Sequence, residues 1–295
     1  MLMALDQVAQ AELNPPSLAT FLLLETEILD EWLVRQTDSP ERSTISDFVR
    51  KVDYATSLRW VWSGTEYDSH HTNGPILVQY QPDSRLPERF VDAWASTGGA
   101  VFLASSRPID EVVAQLRSVL FVLMPNGNKA RFRLQETTAL ASVLRALEPY
   151  RAAALLGPIK ALIWRENLGP EHQWWCYRQP DGPCPVQGGF QFNHSEMASI
   201  DAGLIDQHLR RHIAITRKAP HSFRDDPRQQ TGVWMDHLKS WGFKEFSHLD
   251  AALDAFRHPA YRRCAATVVA LLQDTALTPG ARAARAMNHL MTEGH

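Results

Sequence analysis

Cysteine is scarce in this chain of 295 residues, which contains only three: Cys176, Cys184 and Cys264. Cysteines so few and so scattered exclude the disulfide framework that stabilises many small secreted domains. We expect reduced, buried thiols. A Cys176–Cys184 disulfide would be the alternative if the chain were exported.

Long apolar segments and targeting signals are also missing. The apolar run at residues 21–24 is followed at once by Glu25 and Glu27, and no segment approaches the roughly 18 apolar residues that span a bilayer. Residues 1–12 lack the basic region of a signal peptide. We therefore expect a cytoplasmic protein with no membrane partner.

An excess of positive charge is absent as well. The formal net charge is -3, with 17 basic and 21 acidic residues in 1–180 and 13 and 12 in 181–295, which add up to the 30 and 33 of the whole chain. A surface that binds nucleic acid needs a basic surplus. The composition therefore predicts no nucleic-acid partner.

Two common motifs of catalytic sites do not occur. Gly98-Gly99 and Gly188-Gly189 are isolated pairs that no Lys-Ser or Lys-Thr follows, so a phosphate-binding P-loop is excluded. The Gly-x-Ser-x-Gly motif of serine hydrolases is absent too. We expect a binding protein without a cofactor or an enzymatic activity.

Two histidine pairs are the candidates for metal ligands. His70 and His71 follow Asp68, but adjacent side chains point apart, and no second His or Cys cluster has the spacing that would complete a site with them. A metal-dependent hydrolase that uses these three residues is the enzymatic alternative. His208 and His212 share one helix face at the spacing of a zinc pair. Because Leu209-Arg210-Arg211 places positive charge between them, we expect histidines at the edge of an apolar stripe.

The sequence does contain a clear alternation of strand and helix patterns, which is most informative between Gly74 and Trp164. Helix patterns separate most of these segments, and the turn signal Asn126-Gly127 favours a β-hairpin. The alternation predicts an α/β (α+β) fold, a mixed β-sheet with flanking helices, over residues 1–178. The predicted strands cover residues 20–27, 57–63, 76–80, 100–105, 119–124, 130–134, 159–165 and 172–178.

The pattern changes after residue 178. Residues 179–194 are rich in proline and glycine and predict a linker. Residues 195–295 show helix patterns only, beginning with a helix that Ser195 caps, and a polar loop is expected at 220–230. The sequence therefore predicts a small all-helical C-terminal lobe.

Five residues are candidates for partner contacts. Arg131 and Arg133 alternate with apolar residues along a hairpin strand, and Glu136 is close enough to pair with one of them. They form either an ordinary solvated sheet face or a polar anchor for a partner.

Trp174 and Trp175 are consecutive on a strand, so their rings face opposite sides of the sheet. A place in the core is favoured for each tryptophan. The alternative is that one lies on the outer face or under the helical lobe, where aromatic rings anchor interfaces.

Seven short motifs follow one another in an order that resembles the type VI secretion effector adaptor/chaperone family, a family long catalogued as a domain of unknown function. The family's most recognisable string is Phe-Arg-aromatic-aromatic-Asp-Pro-Arg-Val-Leu. Residues 132–140 keep its Phe132, Arg133 and final Leu140, but have Glu136-Thr137-Thr138 where the family has Asp-Pro-Arg. The other six motifs are residues 21–27, 60–65, 74–78, Ser105-Ser106, Leu116-Arg117 with Pro125-Asn126-Gly127, and Gly157-Pro158-Ile159.

The resemblance covers about residues 20–178, and it implies a function. Members of the family bind one toxic effector in the bacterial cytoplasm and help to load it onto the valine-glycine-repeat spike protein (VgrG), often through a PAAR-type tip. They are neither secreted nor catalytic. The sequence thus predicts an energy-independent adaptor, and an immunity-type protein that neutralises a toxin is the alternative in another class.

Overall fold

The protein is described by a computed structural model that covers residues 1–36, 43–180, 189–218 and 226–293. Cys184, most of the predicted linker and part of the predicted polar loop at 220–230 lie outside these ranges.

Two compact units make up the chain. The first consists of Met1–Asn167 with His172–Leu204, and the second of Leu168–Glu171 with Ile205–His295. The domain limits predicted from sequence, 1–178 and 195–295, stay a prediction.

The first unit is built around a seven-stranded antiparallel sheet. Its strand order is β1-β9-β8-β5-β2-β4-β3, and β6 and β7 form a separate hairpin. The strands are β1 (Leu2–Leu5), β2 (Ala19–Leu24), β3 (Ser57–Trp60), β4 (Ile76–Tyr80), β5 (Ala100–Ser105), β6 (Phe121–Leu123), β7 (Lys129–Arg131), β8 (Ile159–Leu168) and β9 (Glu171–Arg178).

Helices cover both faces of this sheet, and the second unit contains further helices. They are α1 (Gln10–Leu13), α2 (Thr26–Gln36), α3 (Ile45–Val52), α4 (Leu86–Asp92), α5 (Ile109–Ser118), α6 (Thr137–Ala146), α7 (Pro149–Leu156), α8 (His194–Lys218), α9 (Pro227–Ser240), α10 (Phe246–Arg257), α11 (Tyr261–Gln273) and α12 (Pro279–Glu293). The predicted fold class, α+β with a helical C-terminal region, is confirmed.

Strand β2 shows how the sheet separates two hydrophobic cores. Phe21 and Leu23 pack with residues of α5, α6 and α7, while Leu22 and Leu24 pack with residues of α2, α3 and α4. Because β2 lies between β4 and β5 and is covered on both faces, its sequence is a continuous apolar run rather than an alternating one.

Several elements were not predicted from the sequence. Helix α3 is one, and its N-cap Thr44 accepts a hydrogen bond from the backbone N–H of Asp47. Helix α7 is another, and it begins at Pro149, because proline suits the first turn, where no intrahelical N–H donor is needed. The predicted sequence pattern also missed β1, an edge strand of only four residues.

The second unit has a core of its own, made by α9 to α12. Trp234, Leu238, Phe243, Phe256 and Leu290 are among its buried residues. The polar loop expected at 220–230 ends earlier than predicted, since Asp226 caps α9 and accepts a hydrogen bond from the backbone N–H of Arg228.

The described thiols fit the reduced state. Cys176 is free and buried, Cys264 is free and half-buried, and burial raises the pKa of the Cys176 thiol. Among the helices of the described ranges, none combines the length and the apolar character that crossing a membrane requires.

Candidate functional site

The β6–β7 hairpin places Arg131 against aromatic rings. Its Cζ lies 4.5 Å from the ring centroid of Trp62 and 5.0 Å from that of Tyr67, and Tyr67 stacks on Phe121 at 5.9 Å. Guanidinium groups bind aromatic faces through the ring quadrupole. Arg131 is therefore half-buried and held by the rings.

Gly74 makes room for this aromatic cluster. A Cβ atom at Gly74 would lie 2.2 Å from a ring carbon of Trp62. The backbone φ of Gly74 is -93°, so the position needs glycine for space and not for conformation. The carbonyl of Gly74 also accepts a hydrogen bond from Thr26 Oγ1 at 3.1 Å.

Glu25 lies at the end of β2 and connects two of the sequence motifs. Its side chain is buried and accepts a hydrogen bond from Gln135 Nε2 at 2.6 Å. Burial raises the pKa of Glu25, while the Gln135 hydrogen bond and the charges of Arg133 and Arg131 act in the opposite direction. The motif at residues 21–27 and the motif at 132–140 thus meet at one buried hydrogen bond.

Arg133 and Glu136 are both exposed, as a solvated or partner-facing position requires. The ion pair expected between Glu136 and one of the arginines is not formed among these residues. Glu136 is instead the N-cap residue of α6, without a capping hydrogen bond from its side chain. Its backbone N–H donates to the carbonyl of Arg133 at 3.0 Å. The three residues that replace the family's Asp-Pro-Arg therefore begin a helix.

Trp174 and Trp175 face opposite sides of the sheet, as predicted. Trp174 packs in the core of α2, α3 and α4, and Trp175 in the other core, where its Nε1 donates to Glu166 Oε2 at 2.7 Å. The two residues are 5% and 7% exposed. The structure places both in the cores, the favoured position for each, because strand β9 is covered on each side.

The cluster at His70 and His71 is a short 3₁₀ helix, Asp68–Asn73. Asp68 Oδ1 accepts a hydrogen bond from the backbone N–H of Gly64 at 2.7 Å. His71 Nδ1 lies 2.8 Å from the carbonyl oxygen of Asp68. Within the described ranges these side chains are not among the groups whose ligand atoms converge for a metal ion.

His208 and His212 of α8 converge with Asp250 of α10 in the second unit. Their ligand atoms all lie within 4.8 Å of one another, and the two imidazole centroids are 4.5 Å apart. The histidines were expected at the edge of an apolar stripe, but they are 7% and 2% exposed. They are buried because α10 covers this face of α8.

Each of these histidines has different neighbours. His212 Nε2 lies 2.5 Å from Asp250 Oδ1, and Arg257 Nη2 lies 2.5 Å from His212 Nδ1. His208 Nε2 lies 3.3 Å from Asp250 Oδ1, but without hydrogen-bond geometry, so this buried nitrogen has no hydrogen-bond partner.

Burial also sets the ionisation of the cluster. Burial first and the Arg257 charge second lower the pKa of His212 to about 4, and burial lowers the pKa of His208. Sequence spacing indicated the histidine pair but missed Asp250 and Arg257, which follow His212 by 38 and 45 residues. Their i, i+7 spacing on α10 was the available signal, since it places both on one helix face.

Comparison with known protein families finds a match over part of the chain. The model of a family described as "Domain of unknown function (DUF4123)" matches residues 37–154, and that family is associated with type VI secretion effectors. The matched segment includes Trp62, Tyr67, Arg131 and Gln135, and ends in α7. No curated protein and no solved structure matches the chain.

Proposed function

We propose that the protein is an adaptor that binds one type VI secretion effector and assists its loading onto the VgrG spike, with or without a PAAR-type tip. The observation that carries the proposal is the match of residues 37–154 to a family associated with such effectors. The order of the seven motifs over residues 20–178 supports the same function. This support does not depend on any single side chain.

The partner-binding surface of this adaptor is the start of α6 and the end of the β6–β7 hairpin. Arg133 and Glu136 are exposed there, beside the half-buried Arg131. Arg131 is held by the rings of Trp62 and Tyr67. Because Arg131 is already held, it loses little side-chain entropy when a partner binds beside it. Trp174 and Trp175 are buried in the two cores and lie outside this surface.

The test is co-purification with the toxin whose gene adjoins that of this protein. We expect the wild-type chain to retain the tagged toxin through gel filtration. The double variant Arg133→Ala, Glu136→Ala should weaken the complex at least tenfold, the change that corresponds to about 1.4 kcal/mol.

The matched control removes the same two charges on the other side of the sheet. Glu88 and Arg89 are exposed on α4, and α4 packs in the core opposite to that of α6. The variant Glu88→Ala, Arg89→Ala should bind like the wild type. A wild-type chain that fails to retain the toxin, with both partners soluble and folded, would contradict the adaptor function. Equal binding by both double variants would contradict the surface.

A further inference from the structure

We propose that His208, His212 and Asp250 form a binding site for a divalent transition-metal ion of the Zn²⁺ class. The site lies entirely in the second unit and does not depend on the adaptor function. It takes two imidazole nitrogens from one turn of α8 and a carboxylate oxygen from α10.

The distance between His208 and Asp250 suits a tetrahedral ion. Zinc binds imidazole nitrogen and carboxylate oxygen at about 2.0–2.2 Å, so two ligand atoms at a tetrahedral angle are roughly 3.3 Å apart. His208 Nε2 and Asp250 Oδ1 are 3.3 Å apart. The distance of 2.5 Å from His212 Nε2 to Asp250 Oδ1 is shorter, because a hydrogen bond joins these two atoms, and it must lengthen when a metal replaces the proton of that bond.

His208 Nε2 is the observation that points to a ligand. This nitrogen is buried in a residue that is 7% exposed, and it has no hydrogen-bond partner. A buried polar atom without a hydrogen-bond partner lowers the stability of the fold. The nitrogen lies beside the oxygen of Asp250 that His212 also contacts, which is the place where a bound cation would satisfy it.

Arg257 lowers the affinity of the site for a metal ion, because it contacts one of the proposed ligands, His212. Arg257 donates to His212 Nδ1 at 2.5 Å, so His212 carries its proton on Nε2 and donates it to Asp250. A metal on Nε2 requires the proton to move to Nδ1 and the guanidinium to leave that atom. Arg257 then keeps its hydrogen bonds to Thr216 Oγ1 and Asp254 Oδ1, both at 3.0 Å. The site is thus available to metal, with an affinity that Arg257 lowers.

One coordination position is left for water. Three protein ligands with nitrogen and oxygen donors match the ligand count of open zinc sites. The Asp250 side chain is 31% exposed, which gives solvent access. Arg211 Nη1 lies 3.9 Å from Asp250 Oδ2 and competes for the same carboxylate. We therefore expect a moderate affinity rather than that of a structural zinc finger.

The experiment titrates Zn²⁺ alone into the full chain, freed of affinity tags and of metal by chelator and dialysis, and follows the heat of binding. We expect one Zn²⁺ per chain. His208→Gln and Asp250→Asn should each weaken binding by at least the 10- to 100-fold that loss of a supporting residue costs at metal sites. Arg257→Met should tighten it by about tenfold or more, the change that one lost hydrogen bond of about 1.4 kcal/mol produces.

His237→Gln is the matched control, because His237 is exposed on α9 and contacts Trp241 instead of the cluster. It should bind Zn²⁺ like the wild type. Circular dichroism of each variant checks the fold, and the visible spectrum of the Co²⁺ form reports nitrogen and oxygen ligation directly. A wild-type chain that binds no Zn²⁺, or variants at His208 and Asp250 that bind it like the wild type, would overturn the site.

Discussion

At the scale of single residues, the buried carboxylate of Glu25, in the motif at residues 21–27, lowers the stability of the fold at neutral pH. Its carboxylate is buried at the end of β2 with one amide donor, Gln135, and burial raises its pKa. A group whose folded pKa is raised stabilises the fold below its ordinary pKa of 4.5 and loses that contribution as the pH rises through the folded pKa. Ionised Glu25 therefore destabilises the first unit at neutral pH.

Glu25→Gln removes the ionisation and keeps an oxygen that accepts from Gln135. We expect the free energy of unfolding of this variant, relative to the wild type, to rise as the pH increases from 4.5 to 7. Urea denaturation at several pH values measures this. Glu66→Gln is the control, because Glu66 is exposed. A difference between Glu25→Gln and wild type that is constant with pH would show that the buried carboxylate does not control this stability.

At the scale of secondary-structure elements, Arg151 and Glu196 join α7 to the start of α8. Arg151 donates two hydrogen bonds to the carboxylate of Glu196, at 2.9 and 3.0 Å, and a further one to the carbonyl of Gln191. Glu196 also accepts from the backbone N–H of Asn193, and Asn193 Oδ1 accepts from the backbone N–H of Glu196. This is a capping box, so Asn193 caps α8, and not Ser195 as predicted.

Glu196→Gln should lower the free energy of unfolding at pH 7 by about 1.5–3 kcal/mol, the range for hydrogen bonds to charged groups. The Arg151 hydrogen bonds lower the pKa of Glu196, so its contribution is present above pH 4.5 and is lost as the pH falls through the lowered pKa. The difference from wild type should shrink in that acidic range, as chemical denaturation can measure.

An exposed pair serves as the control for this prediction. Arg107 and Glu111 are an i, i+4 pair with side chains 62% and 53% exposed. Glu111→Gln should therefore change stability by less than about 0.5 kcal/mol. If Glu196→Gln has an equally small effect, the bidentate pair does not stabilise the junction of α7 and α8.

Some secondary-structure elements can be predicted from local sequence patterns, and others cannot. Strands β4 and β5 were predicted with their observed ends, because each is an apolar run between turn residues. Helix α7 was missed because Pro149 is compatible both with the end of one helix and with the first turn of the next. The edge strand β1 depends on pairing with β9, from Leu2 opposite Tyr177 to Leu5 opposite Trp174, and such distant pairing leaves no local pattern.

The candidate sites were also predictable to different degrees, because residues that are distant in the sequence leave no local pattern. Arg133 and Glu136 are both exposed, but β7 ends at Arg131, so Arg133 lies beyond the hairpin strand on which the alternation placed it. The cluster in the second unit combines a local pair, His208 and His212, with Asp250 from another helix. Packing of α8 against α10 brings the carboxylate to the histidines, and the sequence of either helix alone does not show it.

At the scale of the whole molecule, the family match lies within one unit. Residues 37–154 belong to the first unit, while the proposed metal site belongs to the second. This separation predicts that the metal ligands can be changed without loss of effector binding, and it makes the two proposals independently testable.

Deletion of the gene distinguishes an adaptor from an immunity-type protein. For an adaptor we expect one effector to disappear from the secreted fraction, while the mutant cells grow normally beside effector-producing siblings. Mass spectrometry of the secreted proteins and a competition assay measure the two outcomes. Full secretion together with death of the mutant beside its siblings would instead identify an immunity protein. Restoration by the wild-type gene is the control.

The two adjacent tryptophans of β9 have a consequence for how the chain reaches its fold. Side chains alternate along a strand, so a slip of one residue in the pairing of β9 would send each indole into the wrong core. Trp175 would leave Glu166, and Trp174 would leave Phe90, whose ring centroid is 5.8 Å away. A shift of this register is thus unfavourable in both cores at once, so the two tryptophans favour the observed pairing of β9 over its neighbouring registers.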